Sequence, residues 1–325
     1  MKQIFTRKNL PILATTFVLV LLFGTFSVLF DNFLSLRVVT DLFASNAHVG
    51  VVAIGMTFVI LSGGIDLSVG SVVGFTTIFV ATLVGKHEVH PVLAILLALL
   101  VGSVFGAGMG IFIQVYQLPP FLVTLAGMFF ARGMAFVVSK QSLEINHRFY
   151  SAVIDAGIPL TDKVILRAPA CIFVAVFVVA LVLAHFSRFG RNVYAVGGNA
   201  ASSLLMGVPV GRTRIWIYTL SGFCAALGGV VFTFRTQAGN ATNAFGLELD
   251  AIAAVVIGGT LLSGGVGYVA GTLMGVLIYG TILTGIRFYG NLDSSWQRMA
   301  IGALLLVFIV IQRLLTRAPA REASH

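Results

Sequence analysis

"LSGGIDLSVGSVVG", residues 61–74, breaks a long apolar run with two adjacent glycines and the carboxylate of Asp66. The chain around it has 325 residues, of which 58% are hydrophobic and only 10% are charged. Soluble domains carry about 25% charged residues, so a soluble core does not explain this composition. A polytopic membrane protein does, because lipid solvates the outward face of its helices. The stretch therefore predicts a helix that is interrupted inside a membrane-spanning bundle.

Ten apolar segments follow one another along the chain, and several approach the length of about 20 residues that a membrane span requires. They cover residues 10–30, 46–62, 68–85, 91–116, 121–139, 169–187, 215–234, 249–262, 266–285 and 296–313. The sequence thus predicts an all-α polytopic membrane protein of about ten transmembrane helices, forming a single domain over residues 1–325. Glycine pairs interrupt the two short segments, 46–62 and 249–262, which we interpret as broken or partly re-entrant helices.

Clusters of basic residues predict the orientation of the chain. They lie at both termini and in the connection 188–214, and an even number of spans places all three on one side. By the positive-inside rule this side is the cytoplasm, so both termini are predicted to be cytoplasmic. The residues concerned are Lys2, Arg7, Lys8, Arg188, Arg191, Arg212, Arg214, Arg313, Arg317 and Arg321. The net charge of +9 is explained by topology, since no stretch has the basic, aromatic-interleaved face of a nucleic-acid-binding protein.

The opening stretch has a counterpart, "LSGGVGYVAGTLMG", at residues 262–275. Four glycines of the first stretch align with four of the second: Gly63, Gly64, Gly70 and Gly74 with Gly264, Gly265, Gly271 and Gly275. We therefore predict an internal repeat that relates segments 46–85 and 249–285. Such repeats with glycine-broken helices are typical of transporters, and the Gly-x3-Gly spacing favours close helix packing. Asp66 aligns with Gly267, so the charge belongs to one half only.

The motifs of common enzymes are absent from the sequence. It has no G-x-x-x-x-G-K-[ST] stretch for ATP hydrolysis. Its two cysteines, Cys171 and Cys224, lie inside apolar segments, which argues against a metal site. No helical segment carries the pair of carboxylates that a proton relay needs. We predict that the chain is not an enzyme and holds neither a cofactor nor a metal.

Four longer motifs resemble the permease subunits of ribose-type sugar ABC importers. They are "GMTFVILSGGIDLSVGS" (55–71), "LPPFLVTLAGMFFARG" (118–133), "YAVGGNAASSLLMGV" (194–208) and "ELDAIAAVVIGGTLLSGGVG" (248–267). Within that family, "LAGMFFARGMAFVVSKQSLEINH" (125–147) is most similar to one permease of the galactofuranose importer. Together the matches run from about residue 44 to residue 313.

The resemblance implies a location and a set of partners. Such permeases lie in the bacterial inner membrane and pair with a second permease, either an identical chain or a related one. A separate ATPase subunit docks on the cytoplasmic side and uses the ATP, and a periplasmic sugar-binding protein docks outside. The alternative function is a stand-alone secondary transporter of a small polar solute, which needs ion or proton ligands within the membrane.

Five polar residues at predicted membrane depth or at the ends of helices are candidates for the substrate path: Asn46, Asp66, Arg132, Glu248 and Asp250. Each also has a structural interpretation. The carboxylates and Asn46 occur where a helix begins and can cap it. Arg132 can instead pair with a carbonyl or carboxylate inside the bundle. Both interpretations stay open at this point.

The connection 188–214 is the candidate contact for the ATPase. It contains "GGNAASSLLMGV", which predicts a short helix capped by Asn199. The candidate contact residues are Asn199, Ser202, Ser203 and Leu204. The alternative interpretation is a loop that only fixes the topology.

Overall fold

The structure is a computed structural model that describes residues 10–161, 164–290 and 294–317. Four of the basic residues used to predict the orientation, Lys2, Arg7, Lys8 and Arg321, lie outside the described residues.

Helices dominate the described part of the chain, in agreement with the all-α prediction. They are α1 (Leu10–Leu29), α2 (Leu36–Ser45), α3 (Ala47–Leu61), α4 (Val69–Ala81, continued by a π-helical turn at Thr82–Lys86), α5 (Pro91–Val115), α6 (Pro120–Val138), α7 (Arg148–Asp155), α8 (Ala168–Phe186), α9 (Arg188–Gly198), α10 (Ala200–Leu205), α11 (Val210–Thr236), α12 (Leu247–Ile257), α13 (Val269–Tyr289) and α14 (Ser294–Arg317).

Two small antiparallel strand pairs were not predicted. Strand β1 (Leu143–Glu144) pairs with β4 (Ala238–Gly239), and β2 (Gly157–Thr161) forms a hairpin with β3 (Val164–Arg167). The first pair joins segments that are almost a hundred residues apart in the chain, so no local pattern announces it.

Six helices in the described residues are long and apolar enough to cross a membrane. They are Val69–Lys86, Pro91–Val115, Pro120–Val138, Ala168–Phe186, Val210–Thr236 and Val269–Tyr289. Helices α2 and α3, bent by 58° at their junction, form a seventh if they are counted as one span. The predicted count of ten is thus not confirmed, partly because α12 has only 11 residues, about 16 Å of helix. The ten spans and the internal repeat remain predictions.

The bundle has two distinct ends. Helix α8 follows the β2–β3 hairpin and leads into α9, while α11 starts after α10 and ends at β4. We call the side with the hairpin the hairpin end. The opposite side is the basic end, which carries Arg188, Arg191, Arg212 and Arg214. The ends are separated by the 27 residues of α11, a length of about 40 Å.

The core of the bundle is built around α3 and α11. Every residue of α3 except His48 is buried, as expected for a helix that is apolar on all sides. Helix α11 packs against α3, α4 and α5. Its contact with α5 is close enough that a side chain at Gly106 would overlap with the carbonyl of Tyr218. Helix α11 thus lies beside the interrupted helix of the opening stretch.

Candidate functional site

The chain between α3 and α4, residues 62–68, forms the first break, and Asp66 lies in it with 0% exposure. Its Oδ1 accepts hydrogen bonds from the amide of Ser68 (2.9 Å) and the hydroxyl of Ser68 (2.6 Å). Its Oδ2 accepts one from the Ser221 hydroxyl of α11 (2.7 Å). The first contact closes a turn just before α4, whose N-cap residue is Ser68 and not Asp66 as one interpretation of the sequence had it. Asp66 thereby also ties α4 to α11.

The second break, residues 258–268 between α12 and α13, lies against the first. The amide of Gly265 donates to the carbonyl of Leu61 at 2.8 Å. A Cβ added at Gly264 would lie 2.7 Å from the amide nitrogen of Gly63. Both Gly264 and Gly265 have φ near +80°, a conformation that glycine adopts without strain. The two glycine pairs thus form one backbone contact near the basic end.

The position equivalent to Asp66 in the second break is fastened differently. Gly267 leaves room for the side chain of Thr260, whose Oγ1 would be 2.5 Å from an added Cβ. The carbonyl of Gly267 accepts a hydrogen bond from the Tyr194 hydroxyl of α9 at 2.9 Å. Burial raises the pKa of Tyr194 to about 12, so this donor stays protonated at physiological pH. The second break is therefore joined to α9 rather than to α11.

Toward the hairpin end, Arg132 of α6 meets the loop that precedes α12. Its Nη1 donates to the carbonyls of Ala241 (2.6 Å) and Asn243 (2.9 Å), and its guanidinium lies 5.6 Å from the ring centroid of Phe245. Phe245 itself is 86% exposed. Arg132 is thus paired with carbonyls inside the bundle, and an exposed aromatic ring lies beside it.

Glu248 lies in the same cluster. It is close enough to Arg132 for their charges to interact, and its Oε2 has no hydrogen-bond partner. A side chain at Gly70 would overlap with that carboxylate, and one at Gly74 would lie 2.5 Å from the Arg132 guanidinium. These two glycines were predicted to pack α4 against another helix. They instead make room for the two charged groups and the loop beside them, whereas a side chain at Gly271 would overlap with the backbone of the second break at Gly258.

Asn46 and Asp250 lie apart from this cluster. The Asn46 amide donates to the carbonyl of Leu42 (2.8 Å) and fills the space beside Gly280 of α13. Asp250, in the first turn of α12, accepts a hydrogen bond from the Tyr279 hydroxyl (3.1 Å). Both therefore face α13. Of the five candidates for the substrate path, the structure brings Arg132 and Glu248 together, and Asp250 lies near enough to Glu248 for their charges to interact.

At the basic end, α9 and α10 form a compact pair. Asn199 caps α10 by accepting the Ser202 amide at 2.9 Å, as the sequence predicts. Ser203 is only 1% exposed and donates to the carbonyl of Ala195 in α9 at 2.7 Å. Its side chain therefore faces α9 and is not available to a partner, in contrast to the contact predicted from the sequence. Ser202 is exposed.

The last turn of α10 presents apolar side chains to solvent. Leu204, Leu205 and Met206 are 64%, 90% and 72% exposed. Of these, only Leu204 was among the candidates from sequence.

Three contributing residues had no sequence motif to identify them. Ser221 is 155 residues from Asp66, Tyr194 is 73 residues from Gly267, and Tyr279 is 29 residues from Asp250. Each is a hydroxyl within an apolar helix or a loop helix, where its partner depends on tertiary packing.

Known proteins are similar to this chain over most of its length. A family model described as "branched-chain amino acid transport system / permease component" matches residues 38–309. The inner membrane ABC transporter permease protein YjfF of Escherichia coli is 50% identical over 310 residues, covering 95% of this chain and 94% of the relative. No solved structure matches the chain.

Two further relatives are named for their sugars. The ribose import permease protein RbsC of Bacillus subtilis is 39% identical over 293 residues, covering 88% of each chain. The fructose import permease protein FruG of Bifidobacterium longum is 36% identical over 313 residues, covering 94% of this chain and 92% of the relative. All three relatives are transporter permease subunits, and such subunits are not enzymes.

Proposed function

The chain belongs to the ribose-type family of sugar ABC transporter permeases, and we propose that it forms half of the path by which a monosaccharide, galactofuranose, enters the cell. A second permease, identical or related, supplies the other half. A cytoplasmic ATPase binds and hydrolyses the ATP, and a periplasmic binding protein delivers the sugar. The membership favours this function over a stand-alone secondary transporter.

The exposed apolar end of α10 is the observation that carries the proposal. Leu204, Leu205 and Met206 project from an end of the bundle that is otherwise basic. Exposed apolar clusters rimmed by polar residues mark protein-binding surfaces. We assign this one to the ATPase. The assignment makes the basic end cytoplasmic, in keeping with the positive-inside rule, and both termini are proposed to lie on that side.

The hairpin end then faces the binding protein. A cleft of about 480 Å³ opens there between α2, α7 and the β2–β3 hairpin. Its charged lining residues are Arg37, Asp41, Asp155 and Arg167. Charges of both signs on one surface suit a transient, electrostatically guided contact with a soluble partner.

The cluster around Arg132 is proposed as the mouth of the sugar path. A sugar site needs hydrogen-bonding groups and an apolar or aromatic face. Glu248 has a carboxylate oxygen without a partner, and the Phe245 ring is exposed next to Arg132. Asn46, Asp66 and Asp250 are proposed to shape the path indirectly, since their side-chain atoms are hydrogen-bonded to protein groups.

Galactofuranose rests on the resemblance of residues 125–147, which contain Arg132. The test is uptake into proteoliposomes that contain this chain, the second permease and the partner ATPase, with the partner binding protein outside. Radiolabelled D-galactose, whose solutions contain the furanose form, is compared with D-ribose and D-fructose. Uptake of galactose that requires ATP supports the proposal. Preferential uptake of either other sugar overturns the substrate, and uptake without the ATPase supports the secondary transporter.

Cross-linking tests the ATPase contact separately. A cysteine at Leu205 is expected to cross-link to the ATPase, whereas a cysteine at the buried Ser203 is the matched control and is not. Cross-links to the ATPase only from cysteines in the β2–β3 hairpin would reverse the proposed orientation.

A further inference from the structure

Three glycine-rich segments meet at one point near the basic end. A side chain at Gly197 of α9 would overlap with the carbonyl of Leu61, the last residue of α3. A Cβ at Gly265 would lie 2.9 Å from the Cα of Gly198. With the hydrogen bond from Gly265 to Leu61, α9 therefore touches both breaks through backbone atoms. We call this contact the glycine joint, formed by residues 61–64, 197–198 and 264–265.

Helices α9 and α10 are joined by the single residue Asn199 and by a side-chain hydrogen bond. The Ser203 hydroxyl donates to the Ala195 carbonyl across the two helices, and the Asn199 cap closes the turn between them. A displacement of the exposed end of α10 is therefore carried directly to Gly197 and Gly198. The side chain of Tyr194 stands one turn before them and reaches the carbonyl of Gly267.

The two breaks differ in what holds them. Asp66 fastens the first to α11 through Ser221, and α11 is packed into the core against α3, α4 and α5. The second has no carboxylate at the aligned position, and its Gly267 is held by Tyr194. The first break is thus anchored to the least exposed part of the bundle, and the second to the helix pair that faces the proposed ATPase.

We propose that Tyr194 is a positioning residue for energy coupling, which transmits movement of α9 and α10 to the second break and so to α12 and α13. The proposal rests on the function proposed above, because it takes α10 as the surface that the ATPase moves. Under this assignment the first break is the fixed half of the joint and the second is the moving half. The aspartate that distinguishes the halves in sequence then marks the half that stays in place.

The experiment uses the full complex in proteoliposomes with the sugar, among D-galactose, D-ribose and D-fructose, that the uptake comparison selects. Uptake and phosphate release are measured in the same vesicles, which gives the amount of sugar moved per ATP. Tyr194→Phe removes only the hydroxyl. We expect it to lower the sugar moved per ATP by at least about fivefold, the lower end of couplings between distant sites, while hydrolysis continues. An unchanged ratio overturns the proposal, including the case in which uptake and hydrolysis fall together.

Tyr150→Phe is the matched control. Its hydroxyl also bonds a buried partner, Thr233 at 3.1 Å, but in contact with the hairpin-end segment and far along α11 from α10. We expect it to keep the wild-type ratio, and a loss equal to that of Tyr194→Phe would show a general effect of hydroxyl removal and overturn the proposal.

A second pair of variants tests the same joint without Tyr194. Gly265→Ala and Gly290→Ala both place alanine at φ near +75°, but only the former meets neighbouring backbone. We expect a lower ratio for Gly265→Ala alone, and equal ratios for the two would count against the joint. Tyr194→Phe and Gly265→Ala are each also combined with Leu205→Cys, to check that the cross-link to the ATPase is still formed. If Leu205→Cys in the otherwise wild-type chain forms no cross-link to the ATPase, the ATPase contact itself is refuted. If the cross-link forms and Tyr194→Phe leaves the sugar moved per ATP unchanged, only the role of Tyr194 is refuted.

Discussion

Replacement of Asp66 tests whether its carboxylate holds the first break together. The carboxylate accepts three hydrogen bonds at full burial, and a hydrogen bond to a charged group contributes about 1.5–3 kcal/mol. Asp66→Ala leaves the amide of Ser68 without its side-chain acceptor, although the Ser221 hydroxyl can turn to a carbonyl of its own helix. We expect a loss on the order of 4 kcal/mol in the free energy of unfolding.

Asp66→Asn tests the hydrogen bonds separately from the carboxylate. The asparagine oxygen still accepts from Ser68, and its amide can donate to the Ser221 hydroxyl, so we expect a loss of only about 1–2 kcal/mol. Ser221→Ala, which removes one of the three bonds, is the matched control and is expected to cost less than Asp66→Ala. The assay is denaturant unfolding of the purified chain in mixed micelles, paired with uptake by the complex. We expect the alanine variant to transport less than the asparagine variant. Equal, near-wild-type stability and uptake in both variants would refute the reasoning.

Three further outcomes follow from the other contacts. Arg132→Lys keeps the charge but lacks the planar guanidinium; we expect faster proteolysis of the loop at Asn243 than in the wild type, and an unchanged rate contradicts the pairing. Gly70→Ala, which overlaps with the Glu248 carboxylate, is expected to cost about 1–3 kcal/mol of stability, whereas Gly133→Ala, in open space, is expected to be near neutral or slightly stabilising; equal melting temperatures contradict the contact. Burial raises the pKa of Tyr150 to about 12, so its stabilising effect is complete below about pH 10 and is lost as the pH rises toward 12; the stability difference between wild type and Tyr150→Phe should shrink over that range, and a constant difference refutes it.

The long helices were predictable because local chemistry bounds them. Pro91, Pro120 and Pro169 stand in the first turns of α5, α6 and α8, where proline is tolerated and marks a helix start. The predicted segments 91–116, 121–139 and 169–187 differ from these helices by at most one residue at either end. Helix α11 was predicted too short, at 215–234, because Arg212 and Arg214 hide its first turn from a hydrophobicity count.

The number of spans was harder to predict than the helices themselves. An apolar run of 11–15 residues, such as α12 or α3, is buried by its neighbours whether or not it crosses a membrane alone. Hydrophobicity measures burial, and a bundle core and a lipid bilayer satisfy it equally.

The contacts of the candidate site were also predictable from the sequence only in part. The cap by Asn199 was predictable because the side chain and the amide that it accepts are three residues apart, whereas Asp66 does not cap α4 and closes the turn before it. The partners of Arg132 were not predictable, because the carbonyls that it binds lie more than a hundred residues away. The burial of Ser203 was not predictable from the sequence either, because the partner of its side chain depends on where α9 lies.

The glycine joint consists almost wholly of main-chain atoms. This composition determines which segments could be exchanged between related permeases. Main-chain atoms are the same in every relative, so a partner helix from another permease finds the same surface there as long as the glycines are present. The loop around Asn243, in contrast, meets the Arg132 cluster with the side chain of Phe245 as well as with the carbonyls of Ala241 and Asn243. We therefore expect a chimaera that exchanges residues 238–246 to change the proposed mouth of the sugar path and to leave the glycine joint intact.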